Sequence, residues 1–113
     1  MFTNIEQISK VTVINVGGKL TSATLEQMQD DILQVAKTST CILLDMSQVN
    51  FLSSAGLRML LLLYRHIGDN HGKIALSGLT EHVHDVMSIT GFLDLFTVYY
   101  NRAEGIEHLE RAC

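Results

Sequence analysis

The stretch that decides the fold is Leu44–Arg58, which reads LDMSQVNFLSSAGLR. It continues the apolar run Cys41–Leu44, whose length and composition are typical of a strand covered on both faces of a sheet. The polar residues Asp45–Ser47 are predicted to end that strand. Ser53–Gly56 then opens a strongly apolar segment, which predicts a helix over about Ser54–Ile67. The stretch therefore predicts a strand, a polar loop and a helix whose start carries two hydroxyl groups.

The segments around this stretch also alternate in apolar period. In the first helical segment Leu25, Met28, Ile32 and Val35 recur at steps of three and four, and Thr21 or Ser22 is predicted to cap its start. Strands are predicted near Asn4–Ile8, Val11–Gly17, Lys73–Leu76 and Leu95–Tyr99, and helices over Thr21–Ala36, Glu81–Ile89 and Ala103–Glu110. This alternation predicts helices packed on a mostly parallel or mixed sheet.

Length and composition exclude several classes of protein. A chain of 113 residues fits one domain with its own core. Twelve acidic and eight basic residues leave a net charge of −4, which argues against nucleic acid as a direct partner. The longest apolar run, Met59–Leu63, is far shorter than the roughly 20 residues that span a bilayer, and the N-terminus lacks a signal-peptide pattern. Two cysteines, Cys41 and Cys113, are too few for a disulfide framework and suit a reducing cytosol. We therefore expect a cytoplasmic domain without a membrane span.

The two serines at the predicted helix start have two interpretations. Ser53 or Ser54 is an N-cap, which contributes about 1 kcal/mol to helix stability. Alternatively, one of these hydroxyls accepts a phosphate, which the positive end of a helix tolerates well. Arg58 lies four residues after Ser54 and shares its helix face. It is either an ordinary solvated arginine or a partner for that phosphate.

Other chemistries find little support in the sequence. The histidines fit no closed zinc spacing, so His66, His71, His82 and His84 are predicted to be exposed, with no metal site. The Gly-x-Ser-x-Gly motif of a serine hydrolase is absent. Gly17-Gly18 is predicted to be a turn that leaves the second strand, and no glycine-rich phosphate loop occurs. We therefore expect a binding module with no catalytic residues and no cofactor.

The order of motifs along the chain resembles the STAS domain family of anti-sigma factor antagonists. Around the two serines, the matching pieces are Asp45-Met46-Ser47, Phe51-Leu52 and Ser53–Leu57. Farther along the chain, Gly72–Leu79 resembles the family's fourth strand and turn, and Val86–Phe96 resembles its third helix and the approach to the last strand. The resemblance implies one domain over residues 1–113, with a mixed β-sheet of about five strands and about four helices, mainly on one face.

The resemblance also implies a mechanism of partner switching. Stand-alone members of the family bind an anti-sigma factor that is also a serine kinase, and they are released when that kinase phosphorylates a serine at the start of the second helix. A PP2C-type phosphatase reverses the modification. The phosphorylated serine of the family matches Ser54, with Ser53 a less favoured acceptor. The implied partner-binding residues are Ser53, Ser54, Ala55, Gly56, Arg58, Lys19 and Thr21.

Three departures from the family pattern bear on this mechanism. Ser53 replaces the motif aspartate, and Ala55 replaces its second hydroxyl residue. The family's Gly-Glu-Leu-Asp turn appears as Gly18–Thr21, which lacks the acidic residues. An alternative function therefore stays open, in which the chain is a STAS subunit of another bacterial complex, such as a transporter or a phosphatase-linked signalling assembly. No oligomeric state is predicted.

Overall fold

The architecture is a five-stranded mixed sheet with four helices. The computed structural model describes residues 2–113. Its strands are β1 (Phe2–Ile8), β2 (Val11–Leu20), β3 (Cys41–Leu52), β4 (Lys73–Ser77) and β5 (Thr97–Tyr99). Its helices are α1 (Leu25–Ala36), α2 (Ser54–Asp69), α3 (Glu81–Ile89) and α4 (Arg102–Ala112). The strands lie side by side in chain order; β1 is antiparallel to β2, and the other neighbours are parallel.

Two apolar clusters hold the helices on the two faces of the sheet. Alternate residues of each central strand point to opposite faces, so Ile14 joins one cluster and Val13 the other. Helices α1, α2 and α3 cover the first face, with Met28, Leu60 and Met87 completely buried there. Helix α4 covers the second face. The predicted fold class is confirmed, including helices mainly on one face and a second strand that is covered on both sides.

The main departure from the predicted elements lies in β2 and β3. The predicted ends of these strands, at Gly17 and before Asp45, are wrong, because both strands continue side by side to Leu20 and Leu52. Two register irregularities interrupt this extension. At Gly18 the backbone has φ 97°, a conformation that favours glycine, so the predicted Gly17-Gly18 turn lies inside β2. The extension carries both strands to the edge of the sheet where α2 begins.

The start of α1 also differs from the prediction. The helix begins at Leu25, and the flanking cap residue is Thr24, so the cap predicted at Thr21 or Ser22 is wrong. The Thr24 hydroxyl donates to the Lys19 carbonyl oxygen at 2.7 Å. Because that contact points back toward β2, Thr24 stabilises the β2–α1 turn and does not cap the helix.

The last strand is shorter than predicted. Leu95 belongs to a short 3₁₀ helix, Phe92–Leu95, and pairing with β4 begins only at Thr97, opposite Ala75. By contrast, α3 has the predicted bounds, and α4 extends the predicted Ala103–Glu110 by a few residues. Apolar residues near the end of the chain thus serve a turn that packs on the core as well as a strand.

The two cysteines are paired, which corrects the prediction made from their number. Cys41 and Cys113 form a disulfide, with their Cα atoms 6.4 Å apart and a sequence separation of 72. The bond joins the start of β3 to the residue after α4. Close by, the Glu110 carboxylate accepts a hydrogen bond from the Lys10 amide at 3.2 Å. Hydrogen bonds from Ser9 and then from that amide lower the pKa of Glu110. The end of α4 is therefore attached to β3 and to the β1–β2 turn.

Candidate functional site

The candidate site lies where the carboxyl ends of β2 and β3 meet the start of α2. Lys19 is paired in register with Phe51, and Leu20 with Leu52. The Ser53 amide donates to the Leu20 carbonyl oxygen at 3.0 Å, which joins the β3–α2 turn to the end of β2. The structure thus brings together two segments that are more than 30 residues apart in sequence, as the predicted contact residues require.

Ser53 supports the fold with its hydroxyl. It is the N-cap of α2, and its Oγ accepts a hydrogen bond from the Gly56 amide at 3.1 Å. The same hydroxyl donates to the Leu20 carbonyl oxygen at 2.8 Å. The side chain is only partly exposed. Of the two interpretations of the serine pair, the cap therefore applies to Ser53, which takes over the capping role available to the aspartate of the motif.

Ser54 is the exposed hydroxyl of the pair. It is the first residue of α2, and within residues 2–113 its Oγ makes no hydrogen bond. The amides of Ser54 and Ala55 stand in the first turn, where no carbonyl group of the helix can accept from them. The first turn of α2 also contains no acidic residue. The hydroxyl is therefore open to solvent at the positive end of a helix.

Ala55 and Gly56 support the site from beneath. Ala55 packs against the main apolar cluster, and Gly56 is buried. A Cβ added at Gly56 would lie 2.6 Å from the Leu52 Cδ1 and 3.1 Å from the Leu20 carbonyl oxygen. Only glycine allows this close approach between α2 and β2. Gly56, predicted as a partner contact, is thus placed below the surface, where it fixes the position of its neighbours.

The exposed surface around Ser54 carries two cationic side chains. Arg58 is exposed on α2 and makes no ion pair with any residue of the described range. Lys19 is exposed at the end of β2, and Thr21 is partly buried in the turn that follows. Although the chain is acidic overall, this end of α2 combines the helix dipole with nearby positive charge. Such a surface favours an added anion.

The sequence analysis missed an aromatic pair beside this surface. Phe51 is 38% exposed and stacks on the His82 ring, with the ring centroids 5.4 Å apart. The Thr80 hydroxyl donates to the Val49 carbonyl oxygen at 2.9 Å and so holds the start of α3 against β3. An exposed phenylalanine two residues before Ser53 was the signal available in the sequence. The pairing with His82 depends on how α3 folds back, which local sequence does not show.

The remaining polar groups do not form a second catalytic or metal centre. The four predicted surface histidines are all exposed. Across residues 2–113, no group of three or more His, Cys, Asp or Glu side chains is arranged to hold a metal ion. No helix in this range is both long and apolar enough to cross a bilayer. A groove of about 530 Å³ runs beside the end of α2 and the start of β4, at Tyr64, Arg65 and Lys73, far along α2 from Ser54.

Comparison with known proteins identifies the family. The STAS domain model matches residues 3–105. The chain belongs to the STAS domain family. Its sequence is 32% identical over 103 residues to BtrV of Bordetella bronchiseptica, a protein provisionally named an anti-sigma factor antagonist. That match covers 90% of this chain and 89% of BtrV.

Solved structures show the same STAS fold. The crystal structure of an anti-sigma factor antagonist from Mycobacterium paratuberculosis superimposes with a TM-score of 0.87 at 24% identity, covering 96% of this chain and 93% of the other. The anti-sigma factor antagonist SpoIIAA in its unphosphorylated form superimposes with a TM-score of 0.82 at 19% identity, covering 97% of each chain. At these identities the likeness establishes the fold of this STAS chain and nothing further.

Proposed function

We propose that this chain is an anti-sigma factor antagonist that acts by partner switching. In its unmodified form it binds an anti-sigma factor that is also a serine kinase, through the surface formed by Lys19, Thr21, Ser54 and Arg58. Phosphorylation of Ser54 releases the partner. The observation that carries this proposal is the division of labour between the two serines, since Ser53 is engaged by the fold and Ser54 is exposed.

The helix end accommodates a phosphate on Ser54 without refolding. A phosphoserine carries about −1.5 to −2 charges at neutral pH and three acceptor oxygens. The open amides of the first turn and the helix dipole both favour that charge. Arg58 adds a cation on the same helix face, four residues along. These contacts replace part of what is lost where Ser53 and Ala55 stand in for the polar residues of the family motif.

The same phosphate opposes binding of a partner. A protein packed over the start of α2 must remove water from about two added charges or meet them with its own acidic groups. A penalty of several kcal/mol is expected, and every 1.4 kcal/mol weakens binding tenfold. The switch therefore acts on recognition at the surface, and the sheet and its helices keep their packing.

The identity of the partners is proposed from the family. The relatives named above are anti-sigma factor antagonists, and one of them is described in an unphosphorylated form. A serine kinase of the anti-sigma class is thus the proposed partner, with a PP2C-type phosphatase to restore the free hydroxyl. We place the protein in the cytoplasm, where sigma factors act, and propose that residues 1–113 work as one binding module without catalytic activity.

Incubation with ATP and each candidate anti-sigma kinase, followed by intact mass measurement, tests the proposal. One phosphoryl group is expected on the wild type and on Ser53→Ala, and none on Ser54→Ala. Ser53→Ala is the matched control, because it removes the neighbouring hydroxyl and leaves the acceptor. Modification that persists in Ser54→Ala contradicts the assignment. Absence of modification by every kinase, together with stable co-purification with a transporter or a phosphatase complex, favours the alternative STAS subunit.

A further inference from the structure

We propose that the Cys41–Cys113 disulfide is an exchangeable redox staple for helix α4, and that small thiols open it through Cys113. The pair lies at the start of β3, whereas Ser54 follows the far end of that strand. The proposal therefore does not rest on the function assigned to Ser54. It assigns a chemical role to the one covalent cross-link between the sheet and α4.

The two sulfur atoms lie in different surroundings. Cys41 is only 2% exposed, in the apolar cluster that α4 covers, with Val11, Leu43 and Leu109 as members of the same cluster. Cys113 follows the last residue of α4 and is exposed. A thiolate that approaches from solvent can therefore reach the sulfur of Cys113, while the sulfur of Cys41 is shielded. This asymmetry sets the order of the exchange.

Reduction by glutathione proceeds in two balanced steps. In the first, a glutathione thiolate attacks the Cys113 sulfur, a new sulfur–sulfur bond forms there, and the bond to Cys41 breaks. The electron pair goes to the Cys41 sulfur, which takes a proton. The Leu109 carbonyl oxygen, 3.8 Å away, is placed to accept a hydrogen bond from the resulting thiol. In the second step, another glutathione attacks the sulfur of the first, which releases the Cys113 thiolate and glutathione disulfide. Glutathione disulfide drives the reverse sequence and restores the staple.

Opening the staple loosens one end of α4. The N-terminal end keeps its own anchors, because Arg102 pairs with Glu6 and the Asn101 side chain accepts from the Glu104 amide. In the middle, Gly105 lies so close to Leu43 that an added Cβ would be 2.9 Å from its methyl groups. At the other end, the hydrogen bond from Lys10 to Glu110 is the polar contact left once the disulfide opens. Reduction is therefore expected to free the last turn while the start of α4 stays in place.

Intact mass measurement tests the order of exchange. With glutathione disulfide, the reduced wild type is expected to lose two hydrogen atoms and form the internal disulfide. Cys41→Ala, which keeps the exposed thiol, is expected to gain one glutathione, and Cys113→Ser is expected to gain none. In the wild type, proteolytic mapping of the mixed disulfide trapped during partial reduction is expected to place glutathione on Cys113. This last measurement needs no variant and holds even if Cys41→Ala folds poorly.

Hydrogen exchange and thermal unfolding test the structural consequence. Amides in the last turn of α4 should exchange at least tenfold faster after reduction, while those of β3 and α2 change little. The midpoint of unfolding should fall by about 10 °C on reduction, because the cross-link closes a long loop. Free thiols that persist in the oxidised wild type, glutathione on Cys41, or equal exchange in both redox states would overturn the proposal. None of these outcomes depends on phosphorylation of Ser54.

Discussion

Replacement of each serine by alanine should separate the structural hydroxyl from the functional one. In Ser53→Ala the Gly56 amide loses the Oγ that accepts from it at 3.1 Å, in a buried part of the turn. The Leu20 carbonyl oxygen keeps its bond from the Ser53 amide at 3.0 Å and is not left unpaired. Loss of the cap alone predicts a destabilisation of about 1–2 kcal/mol. For a chain of this size, that lowers the midpoint of thermal unfolding by about 4–10 °C.

Ser54→Ala is the matched substitution with the opposite expectation. Its hydroxyl makes no hydrogen bond within residues 2–113, and alanine is the better helix former, so the change in stability should stay within about 0.5 kcal/mol of zero. Thermal unfolding followed by circular dichroism, with urea denaturation as a second measure, compares the two variants directly. If Ser54→Ala is destabilised as much as Ser53→Ala, or if Ser53→Ala is neutral, the division of labour between the serines is wrong.

Three further substitutions test the surroundings of the site and the attachment of α4. Gly56→Ala should destabilise by about 1–3 kcal/mol because its Cβ overlaps packed atoms, whereas Gly68→Ala, with open space, should stabilise by about 0.5–1 kcal/mol in urea denaturation. Arg58→Ala should destabilise the form phosphorylated at Ser54 by about 0.5 kcal/mol more than the unmodified form, and equal thermal shifts contradict the pairing. The lowered pKa of Glu110 means that its carboxylate stabilises the folded state above its unfolded pKa, and that this stability is lost as the pH falls through the folded value. Glu110→Gln should therefore unfold with a weaker acid dependence, and an unchanged pH profile opposes this.

Periodicity and composition predicted most of the elements because those signals are local. The bounds of α3 and the start of α2 follow from apolar spacing and from the residues that flank each helix. The lengths of β2 and β3 do not, because the strands continue through polar residues only by pairing with each other past the bulge at Gly18. A strand that depends on a partner in this way carries little sequence signal of its own.

The site shows the same limit. Sequence placed two hydroxyls at a helix start, but the contact that separates their roles comes from Leu20, which lies 33 residues before Ser53. The disulfide joins Cys41 to Cys113 across a still longer separation, so cysteine count alone led to the wrong expectation. Family resemblance supplied what local patterns lacked, since the ordered motif assigned the acceptor role to Ser54 before its exposure was known.

The affinity of the purified anti-sigma kinase for the unmodified and phosphorylated forms of this chain, measured by titration calorimetry at equal ionic strength, tests the central proposal most directly. Two added charges at the start of α2 predict at least about a hundredfold weaker binding, which corresponds to roughly 2.7 kcal/mol. Ser54→Ala should bind like the unmodified protein and stay insensitive to kinase and ATP. Equal affinity of the two forms would contradict the proposal that Ser54 controls the choice of partner.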